Sequence, residues 1–447
     1  MLFRSRLCLL VDPSEDELRQ ALMERYLPAI SGDIMTVPLQ SRINAEQESF
    51  LAASRILRSV LDAVSDDYSV QAFFGKRWFA NIVRNLRYAA GSTPPVGPIR
   101  AATISAAGPS LEDAVPDIAA RPKGNFLIAT DTSLHALLKR GIEPDAVLSI
   151  DCQHISYYHF MDGMPDGLPL FLDLASPTTL ARLCKKPYFF SSGHPLARYV
   201  AARMRAYPLL DTSGGNVTHA AVSLAEYMGA TSIDIYGADF SYPSGKSYAR
   251  GTYIYPYFDL RQSRLKPAES LFQDFLFRNQ ALERRKDPDG SFRYLTKPLW
   301  AYMERLEKLA RSSAASIRRH RGAGSASQAD VDRAATDSRA KRSAGLLKED
   351  RFGRVFASGK LFMTPTEFLR SYADELKALP PPPRGSSANA AALYLLSLQG
   401  KERDLWTTLL PGVAAFRREA GQNEARLANV LTDVLDWSLA VIEEELR

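Results

Sequence analysis

Cysteine is scarce in this sequence, and long apolar runs are missing. The three cysteines, Cys8, Cys152 and Cys184, are odd in number and scattered, with no C-x-x-C pair that could hold zinc or perform redox chemistry. No stretch approaches the length of a membrane span, and the apolar run before Asp12 is too short for a signal peptide. We therefore expect a soluble, cytoplasmic protein without a membrane partner.

Positive charge is unevenly spread along the 447 residues. The formal net charge is +6, and 46% hydrophobic residues can fill more than one core, so several domains are expected. Between Arg261 and Arg321 there are fifteen Lys or Arg against seven Asp or Glu. This segment could face nucleic acid, an anionic donor or an acidic protein, or simply form solvated helix faces. Because no nucleic-acid-binding motif is visible, we expect no nucleic-acid partner.

Changes of pattern along the chain predict three parts. Residues 1–97 are interpreted as a small N-terminal α/β domain, with strands in RLCLLVD and DIMTVPL, that ends at the break GSTPPVGP. Residues 98–260 form the central domain. Residues 261–447 form a helical C-terminal region whose last helix spans Asn423–Leu446. A segment near 312–345, which includes His320, loses apolar periodicity and is predicted to be mobile or a solvated helix.

Short apolar runs alternate with helical segments in the central domain. The runs are ATISAAG, FLIATD, DAVLSID, LPLFLDL, PYFFSSG, YPLLDTSGG and SIDIYGAD. The helices between them have clear ends, such as Ser110 as the N-cap of one and Gly229 as the stop of another. This repetition predicts an α/β fold with a doubly wound, Rossmann-like parallel sheet.

Polar residues follow the apolar runs, where an open parallel sheet binds its ligands. Two turns join a strand to a helix start, where free N–H groups favour a phosphate: Gly108-Pro109-Ser110 and Ser213-Gly214-Gly215-Asn216. Asp131 and Asp151 each end a strand, where a carboxylate could hold ribose hydroxyls, a metal or an acceptor proton. Each of these residues also has a plainer interpretation: Ser110 as an N-cap, Asp131 as a helix entry and Asp151 as a turn former.

Tyrosines crowd the loop YGADFSYPSGKSYARGTYIY, Tyr236 to Tyr255, which follows a strand that delivers Asp239. Their hydroxyls could stabilise a leaving phosphate through hydrogen bonds without a metal. The alternative is a hairpin with surface tyrosines. His194 and His219, beside glycine-containing turns, are the candidate bases, or else satisfied polar residues, whereas His135 is interpreted as structural and His154 and His159 lie in an ambiguous aromatic stretch.

Three of these motifs together resemble a known family. GPSL, TDTSLHALLKRGIEPDAVLSID and SGGNVTHAAVSLAEYMGATSIDIYGADFSYPSGKSYARGT look like the core of the Maf (motility-associated factor) flagellin glycosyltransferases. That family is similar to the hydroxymethylpterin pyrophosphokinases of the MptE type, and the core also looks like bacterial sialyltransferases that use CMP-sialic acid. The resemblance covers roughly Arg100 to Tyr255.

The resemblance implies a transferase that moves a nonulosonic acid, of the pseudaminic or legionaminic type, from CMP to Ser or Thr of flagellin. The implied CMP-binding residues are Gly108, Pro109, Ser110, Ser213, Gly214, Gly215 and Asn216. Asp131 and Asp151 would orient ribose or acceptor. Tyr242 and Tyr248 would stabilise the departing phosphate, and Asp239 would anchor their loop. In the sialyltransferases a histidine base follows this loop, whereas Arg261 to Gly290 contains no histidine.

Two other functions remain open. A pyrophosphokinase would use ATP with Mg²⁺ held by carboxylates such as Asp131, Asp151 and Asp239. A flagellin-binding protein that has lost its base would keep the fold without catalysis. Under the transferase interpretation no metal and no cofactor is expected, because the CMP-sugar is the substrate.

Overall fold

The computed structural model describes residues 47–91, 98–185, 187–278, 281–287, 290–322, 361–385 and 388–447, with Ser325 and parts of the first 45 residues. By their contacts they form two compact units, Met1–Val83 with Thr366–Arg447, and Arg84–Pro365. These units divide the chain differently from the three predicted domains, whose boundaries stay a prediction. The strands predicted in RLCLLVD and DIMTVPL fall almost entirely outside the described residues, as does most of the segment near 312–345.

Strands and helices alternate through most of the second unit. In chain order the strands are β1 (Ala101–Ser105), β2 (Asn125–Thr130), β3 (Ala146–Ser149), β4 (Leu170–Asp173), β5 (Pro187–Phe190), β6 (Ser232–Tyr236), β7 (Tyr242–Pro243), β8 (Glu283–Lys286), β9 (Phe292–Leu295) and β10 (Ser316–Arg319). Its helices are α3 (Leu111–Ala119), α4 (Leu134–Leu138), α5 (Thr178–Leu183), α6 (Pro195–Arg203), α7 (Val217–Tyr227), α8 (Ile254–Asp259), α9 (Ala268–Phe277) and α10 (Lys297–Ser312), following α1 (Gln40–Ala45) and α2 (Gln47–Ala89). Two 3₁₀ helices span Asp131–Ser133 and His154–Phe160.

A seven-stranded parallel sheet forms the centre of this unit, in the order β10-β6-β1-β2-β3-β4-β5. From β1 the chain adds strands in one direction as far as β5, and then returns with β6 to the other side of β1. The reversal lies between β1 and β6, which is where a doubly wound sheet opens a crevice at its carboxyl edge. The predicted Rossmann-like fold is confirmed.

The sheet is covered by helices whose apolar faces the sequence pattern specifies. Helix α7 begins at Asn216, whose Oδ1 accepts a hydrogen bond from the His219 N–H at 3.2 Å, and it ends before Gly229 at φ +96°. Its Val222 and Leu224 are buried in the same core as Ile104 of β1. Burying a side chain of this size contributes about 1.5–3 kcal/mol.

A smaller antiparallel sheet, β7-β9-β8, extends from the tyrosine loop. Tyr242 pairs with Tyr294, so the loop that carries the predicted catalytic tyrosines is fixed by a hairpin that comes more than forty residues later in the chain. A buried ion pair between Arg293 and Asp287 lies inside that hairpin. Sequence analysis predicted only helices in this region, because ERRK and FRYL lack an apolar run.

The other unit is helical in its described part. It contains most of α2 together with α11 (Pro365–Lys377), α12 (Ala388–Ser397), α13 (Gly400–Ala420), α14 (Glu424–Leu427) and α15 (Val430–Leu446). Gly75 of α2 meets the backbone of Pro411 in α13, where a Cβ would lie 1.8 Å from the Pro411 carbonyl oxygen. No helix in the described part of the chain is long and apolar enough to cross a bilayer.

Three local predictions are wrong. YPLLDTSGG is not a strand, since only Leu209 bridges to Ser191 and Pro208 has no N–H to donate to a ladder. The predicted helix over Asn423–Leu446 is interrupted between α14 and α15. The start of the segment near 312–345 contains strand β10, an edge strand of the large sheet. Its sequence, SIRR, does not predict a strand, because the charged side chains break the apolar pattern.

Candidate functional site

The turn after β1 is held by the aspartate that follows β6. Asp239 is 2% exposed, and one carboxylate oxygen accepts a hydrogen bond from the Ser110 N–H at 2.9 Å, while the other accepts from the Ser325 hydroxyl. The Gly108 N–H donates to the Gly237 carbonyl at 2.8 Å. A Cβ on Gly108 would lie 2.4 Å from Asp239 Oδ2. Glycine is therefore required here by close packing within the protein.

This arrangement changes the interpretation of Ser110 and Pro109. Ser110 occupies the N-cap position of α3, but its side chain makes no capping hydrogen bond, so that expectation is wrong. The N–H predicted to be free for a phosphate is bonded to Asp239, and the next two helix N–H groups bond to Gly108 and Pro109 carbonyls. In the described structure the Asp239 carboxylate takes the place at the helix start that an anionic ligand was predicted to fill.

Residues at the end of β10 and just after it complete this turn. The Arg319 guanidinium donates to the Ala238 carbonyl at 3.1 Å and to Glu307 at 3.2 Å. Phe240 adopts φ +50°, an unfavourable conformation for a bulky side chain, and the Arg319 guanidinium stacks 5.6 Å from its ring centroid. A Cβ on Gly322 would lie 2.2 Å from Ser110 Cβ. Sequence reasoning missed these residues, because their contacts join positions far apart in the chain.

The second glycine-containing turn, Ser213 to Asn216, packs against a buried imidazole. A Cβ on Gly214 would lie 2.2 Å from the His219 ring, and one on Gly215, at φ +79°, would lie 2.9 Å from Tyr302 Cε1. Both ring nitrogens of His219 and the Asn216 side-chain N–H₂ group have no hydrogen-bond partner among the described residues. Burial, with the nearby Arg305 charge, lowers the pKa of His219 to about 4.

The other sequence-predicted base, His194, is also buried. Its Nδ1 accepts a hydrogen bond from the Leu196 N–H at 3.2 Å, so it caps α6. Desolvation lowers the pKa of His194 to about 3. At the end of β4, burial raises the pKa of Asp173 to about 6 despite hydrogen bonds from the Ala175 N–H and the Ser192 hydroxyl. Neither His194 nor His219 is positively charged at neutral pH.

Asp131 and Asp151 lie side by side after β2 and β3. Asp131 is 1% exposed and accepts hydrogen bonds from the Ser149 hydroxyl at 2.6 Å and from the Thr132 N–H at 2.7 Å. Asp151 accepts from the Gln153 N–H at 2.8 Å. Burial raises the pKa of Asp151, and the neighbouring charge of Asp131 adds to that effect.

The tyrosines of the loop after β6 lie in the electrostatic field of this pair. Burial raises the pKa of Tyr248, and the nearby Tyr253, Tyr242 and Asp131 add to the shift. Tyr253 has its pKa raised to about 12 by burial and then by Asp131, with a smaller effect from Asp151. Burial also raises the pKa of Tyr242. These phenols therefore stay protonated and are hydrogen-bond donors at neutral pH.

Arg278, at the end of α9, is the cation whose charge opposes these shifts. It lowers the pKa of Tyr242, Tyr248 and Tyr253 relative to the effect of burial alone. Asp131, Asp151, Tyr242 and Tyr248, predicted from separate motifs, thus form one cluster with Tyr253 and Arg278. We call these six residues the tyrosine–carboxylate cluster. Tyr253 lies in the tyrosine-rich loop, so its place in the site could have been predicted from the sequence, whereas no sequence pattern identifies Arg278.

The three carboxylates named for Mg²⁺ do not form a ligand set. Both oxygens of Asp239 are engaged, by Ser110 and Ser325, whereas Asp131 and Asp151 belong to the tyrosine–carboxylate cluster. Within the described ranges no group of three or more His, Cys, Asp or Glu side chains is arranged to hold a metal ion.

His320, assigned from sequence to a mobile or solvated segment, is ordered at the end of β10. Its ring stacks on Tyr236 with centroids 4.2 Å apart, and Nε2 lies 2.7 Å from Asp234 Oδ1. The pair lines an open cleft of about 390 Å³, together with Thr103 and Asn125 on the same sheet.

Comparison with known proteins assigns a family to the central domain. Residues 76–245 match the family model described as 6-hydroxymethylpterin diphosphokinase MptE-like. Two uncharacterized proteins of Treponema pallidum (strain Nichols) are relatives. One is 37% identical over 121 residues, 27% of this chain and 42% of the relative, and the other is 33% identical over 141 residues, 31% of this chain and 67% of the relative. The matched stretch thus spans less than half of the first relative's length.

A solved structure shares the fold over almost the whole chain. The Maf glycosyltransferase from Magnetospirillum magneticum AMB-1 is similar with a TM-score of 0.50 and 15% identity, over 97% of this chain and 68% of that one. At this identity the likeness establishes the fold. Residues 76–245 therefore form an MptE-like domain, within a fold shared with the Maf glycosyltransferase.

Proposed function

We propose that this chain is a glycosyltransferase that moves a nonulosonic acid, of the pseudaminic or legionaminic type, from CMP to Ser or Thr hydroxyls of flagellin in the cytoplasm. The likeness to a Maf glycosyltransferase supports a transferase role at the level of the fold. The donor, the acceptor and the cellular location are parts of this proposal.

The tyrosine–carboxylate cluster is the observation that carries the proposal. Breaking the bond between the sugar and CMP leaves negative charge on a phosphate, and donors already in position stabilise that charge best. Tyr242, Tyr248 and Tyr253 keep their protons at neutral pH, and Arg278 adds a positive charge. The carboxylates of Asp131 and Asp151 are acceptors suited to ribose or acceptor hydroxyls.

The turn from Ser213 to Asn216 is the part of the predicted CMP site with unused hydrogen-bonding capacity. It opens helix α7, whose dipole favours an anion, and Arg305 lies close enough to Gly215 that a Cβ there would be 3.3 Å from its Nη1. The unpaired Asn216 N–H₂ group is a further donor. We assign CMP binding mainly to this turn, with Gly108, Pro109, Ser110 and Asp239 as the support that shapes the edge of the sheet.

The test combines nucleotide binding with the removal of single oxygens. CMP should stabilise the chain without added metal, by about 2.7 kcal/mol at a hundred times its Kd. Tyr242→Phe and Tyr248→Phe should each slow single-turnover transfer by about a hundredfold, equivalent to roughly 2.7 kcal/mol, while CMP affinity changes little. Tyr157→Phe, which removes a hydroxyl from an exposed side chain, is the matched control. Unchanged transfer rates in both cluster variants would contradict the mechanism.

A diphosphokinase is the second candidate, favoured by the description of the matching family model. It would transfer diphosphate from ATP and would require Mg²⁺. Asp131 and Asp151 could contribute to a metal site, but Asp239 would have to leave Ser110 and Ser325 to join them. Stabilisation by ATP with Mg²⁺, and not by CMP, would favour this function. Binding of flagellin without either nucleotide would favour a non-catalytic binding protein.

A further inference from the structure

Transfer to a hydroxyl requires a group that removes the hydroxyl proton. In the Arg261–Gly290 stretch after the tyrosine loop there is no histidine. The two histidines chosen from sequence, His194 and His219, are buried, and burial lowers their pKa values to about 3 and about 4. Neither imidazole is suited to accept a proton at neutral pH, since a base works best with a pKa near the working pH.

His159 occupies a different position, beside the tyrosine–carboxylate cluster. It lies near the end of the 3₁₀ helix His154–Phe160, which follows β3 and Asp151. Its ring packs edge-on against Tyr253, with centroids 4.4 Å apart and an interplanar angle of 84°. Its Nδ1 has no hydrogen-bond partner among the described residues, and the side chain as a whole is half-buried.

Asp151 supplies the electrostatic partner. The charge of His159 lowers the pKa of the Asp151 carboxyl, an effect smaller than that of burial, which raises it. By the same interaction, the Asp151 carboxylate favours the imidazolium that His159 would become on taking up a proton. A base whose protonated form is stabilised by a neighbouring carboxylate is suited to this role.

Two further titratable groups near His159 come from different elements. His135 of α4 faces it, and Tyr253 precedes α8. Two charged groups near these elements have partners: Lys139, which follows α4, pairs with Asp162 at 2.7 Å, and Arg182 of α5 donates to the Tyr88 hydroxyl at 3.0 Å.

We propose, on the basis of the proposed transferase function, that His159 is the general base for the acceptor hydroxyl. As the acceptor oxygen bonds to the anomeric carbon of the sugar, its O–H bond breaks and the proton passes to the His159 imidazole. The bond between that carbon and the phosphate oxygen breaks with its electron pair, so CMP leaves as an anion. Asp151 stays ionised and stabilises the imidazolium.

Transfer to two different acceptors distinguishes a general base at His159 from a residue with a purely structural role. A flagellin hydroxyl must lose a proton during transfer, whereas azide is an anion and needs no base. His159→Ala should therefore slow transfer from CMP-pseudaminic or CMP-legionaminic acid to flagellin by about a hundredfold or more. The same variant should keep the azide reaction within about threefold of wild type, because the donor site is intact, and added imidazole should restore part of the flagellin rate.

His154→Ala is the matched control, because His154 belongs to the same 3₁₀ helix but is exposed and stacks on Tyr157. It should leave both reactions unchanged. A parallel loss of the flagellin and azide reactions in His159→Ala would overturn the proposal, as would retention of both. If the wild-type chain binds no CMP and transfers neither sugar, the proposed function fails first and this assignment fails with it. CMP binding with normal flagellin transfer in His159→Ala would refute only the role of His159.

Discussion

The buried His219 makes the folded chain sensitive to acid in a way that one substitution should reveal. An unfolded chain takes up a proton at this histidine near pH 6.5, but the folded chain does so only near pH 4, because burial and Arg305 oppose the charge. Lowering the pH between these values therefore favours the unfolded state. At pH 5 the loss from this one side chain is about 2 kcal/mol, and it approaches 3 kcal/mol near pH 4.

The assay compares urea unfolding of wild type and His219→Leu at pH 7.5 and pH 5.0. His194 has the same sign of pH dependence, and Asp173, with a pKa raised to about 6, has the opposite sign. Both are present in the two proteins, so their effects cancel in the comparison. The free energy of unfolding should fall by about 2 kcal/mol less in His219→Leu than in wild type. His154→Leu, at an exposed position, should behave as wild type, and equal pH dependence in wild type and His219→Leu would refute the reasoning.

Two substitutions at the turn after β1 test its packing. Gly108→Ala should lower the melting temperature by several degrees, because the new Cβ would lie 2.5 Å from the Gly237 carbonyl oxygen, a backbone atom. Gly193→Ala is the control, because a Cβ at that position would have nothing within 4 Å. Equal melting temperatures for the two variants would contradict the described contact. Asp239→Ala should cost about 1–3 kcal/mol in urea unfolding, since the buried Ser110 N–H loses its acceptor, and Asp239→Asn, which keeps an acceptor oxygen, should cost less. A larger loss for Asn than for Ala would show that Ser110 does not depend on this oxygen.

Much of the sheet could be predicted because its strands are apolar and buried. Runs such as FLIATD and DAVLSID are typical of a parallel sheet covered on both faces, and they became β2 and β3. The pattern fails where an element is stabilised by partners distant in sequence. Strand β10 contains two arginines, and it is ordered by pairing with β6 and by contacts of Arg319 to Ala238 and Glu307.

Part of the candidate site could also be predicted from the sequence, namely the residues that directly follow strands of the sheet. Asp131 and Asp151 could be chosen because the carboxyl ends of neighbouring strands meet at one edge, and the structure does bring them together. The bond from the Ser110 N–H to Asp239 joins residues 129 positions apart, and no local pattern specifies it. Arg278 follows α9, and only the tertiary packing of the chain brings it close to the tyrosines.

Strand β10 lies far along the chain from the other strands of the large sheet, and this position limits where the chain can be cut to give a stable fragment. A fragment cut where the family match ends, at residue 245, would contain β6 but not the strand that pairs with its outer side. The backbone N–H and C=O groups of β6 would then form an open edge, a template on which other chains can add strands. Such a fragment should aggregate, and a self-sufficient fragment must extend at least through Arg319, even though the described residues between 245 and 316 contribute no strand to the large sheet.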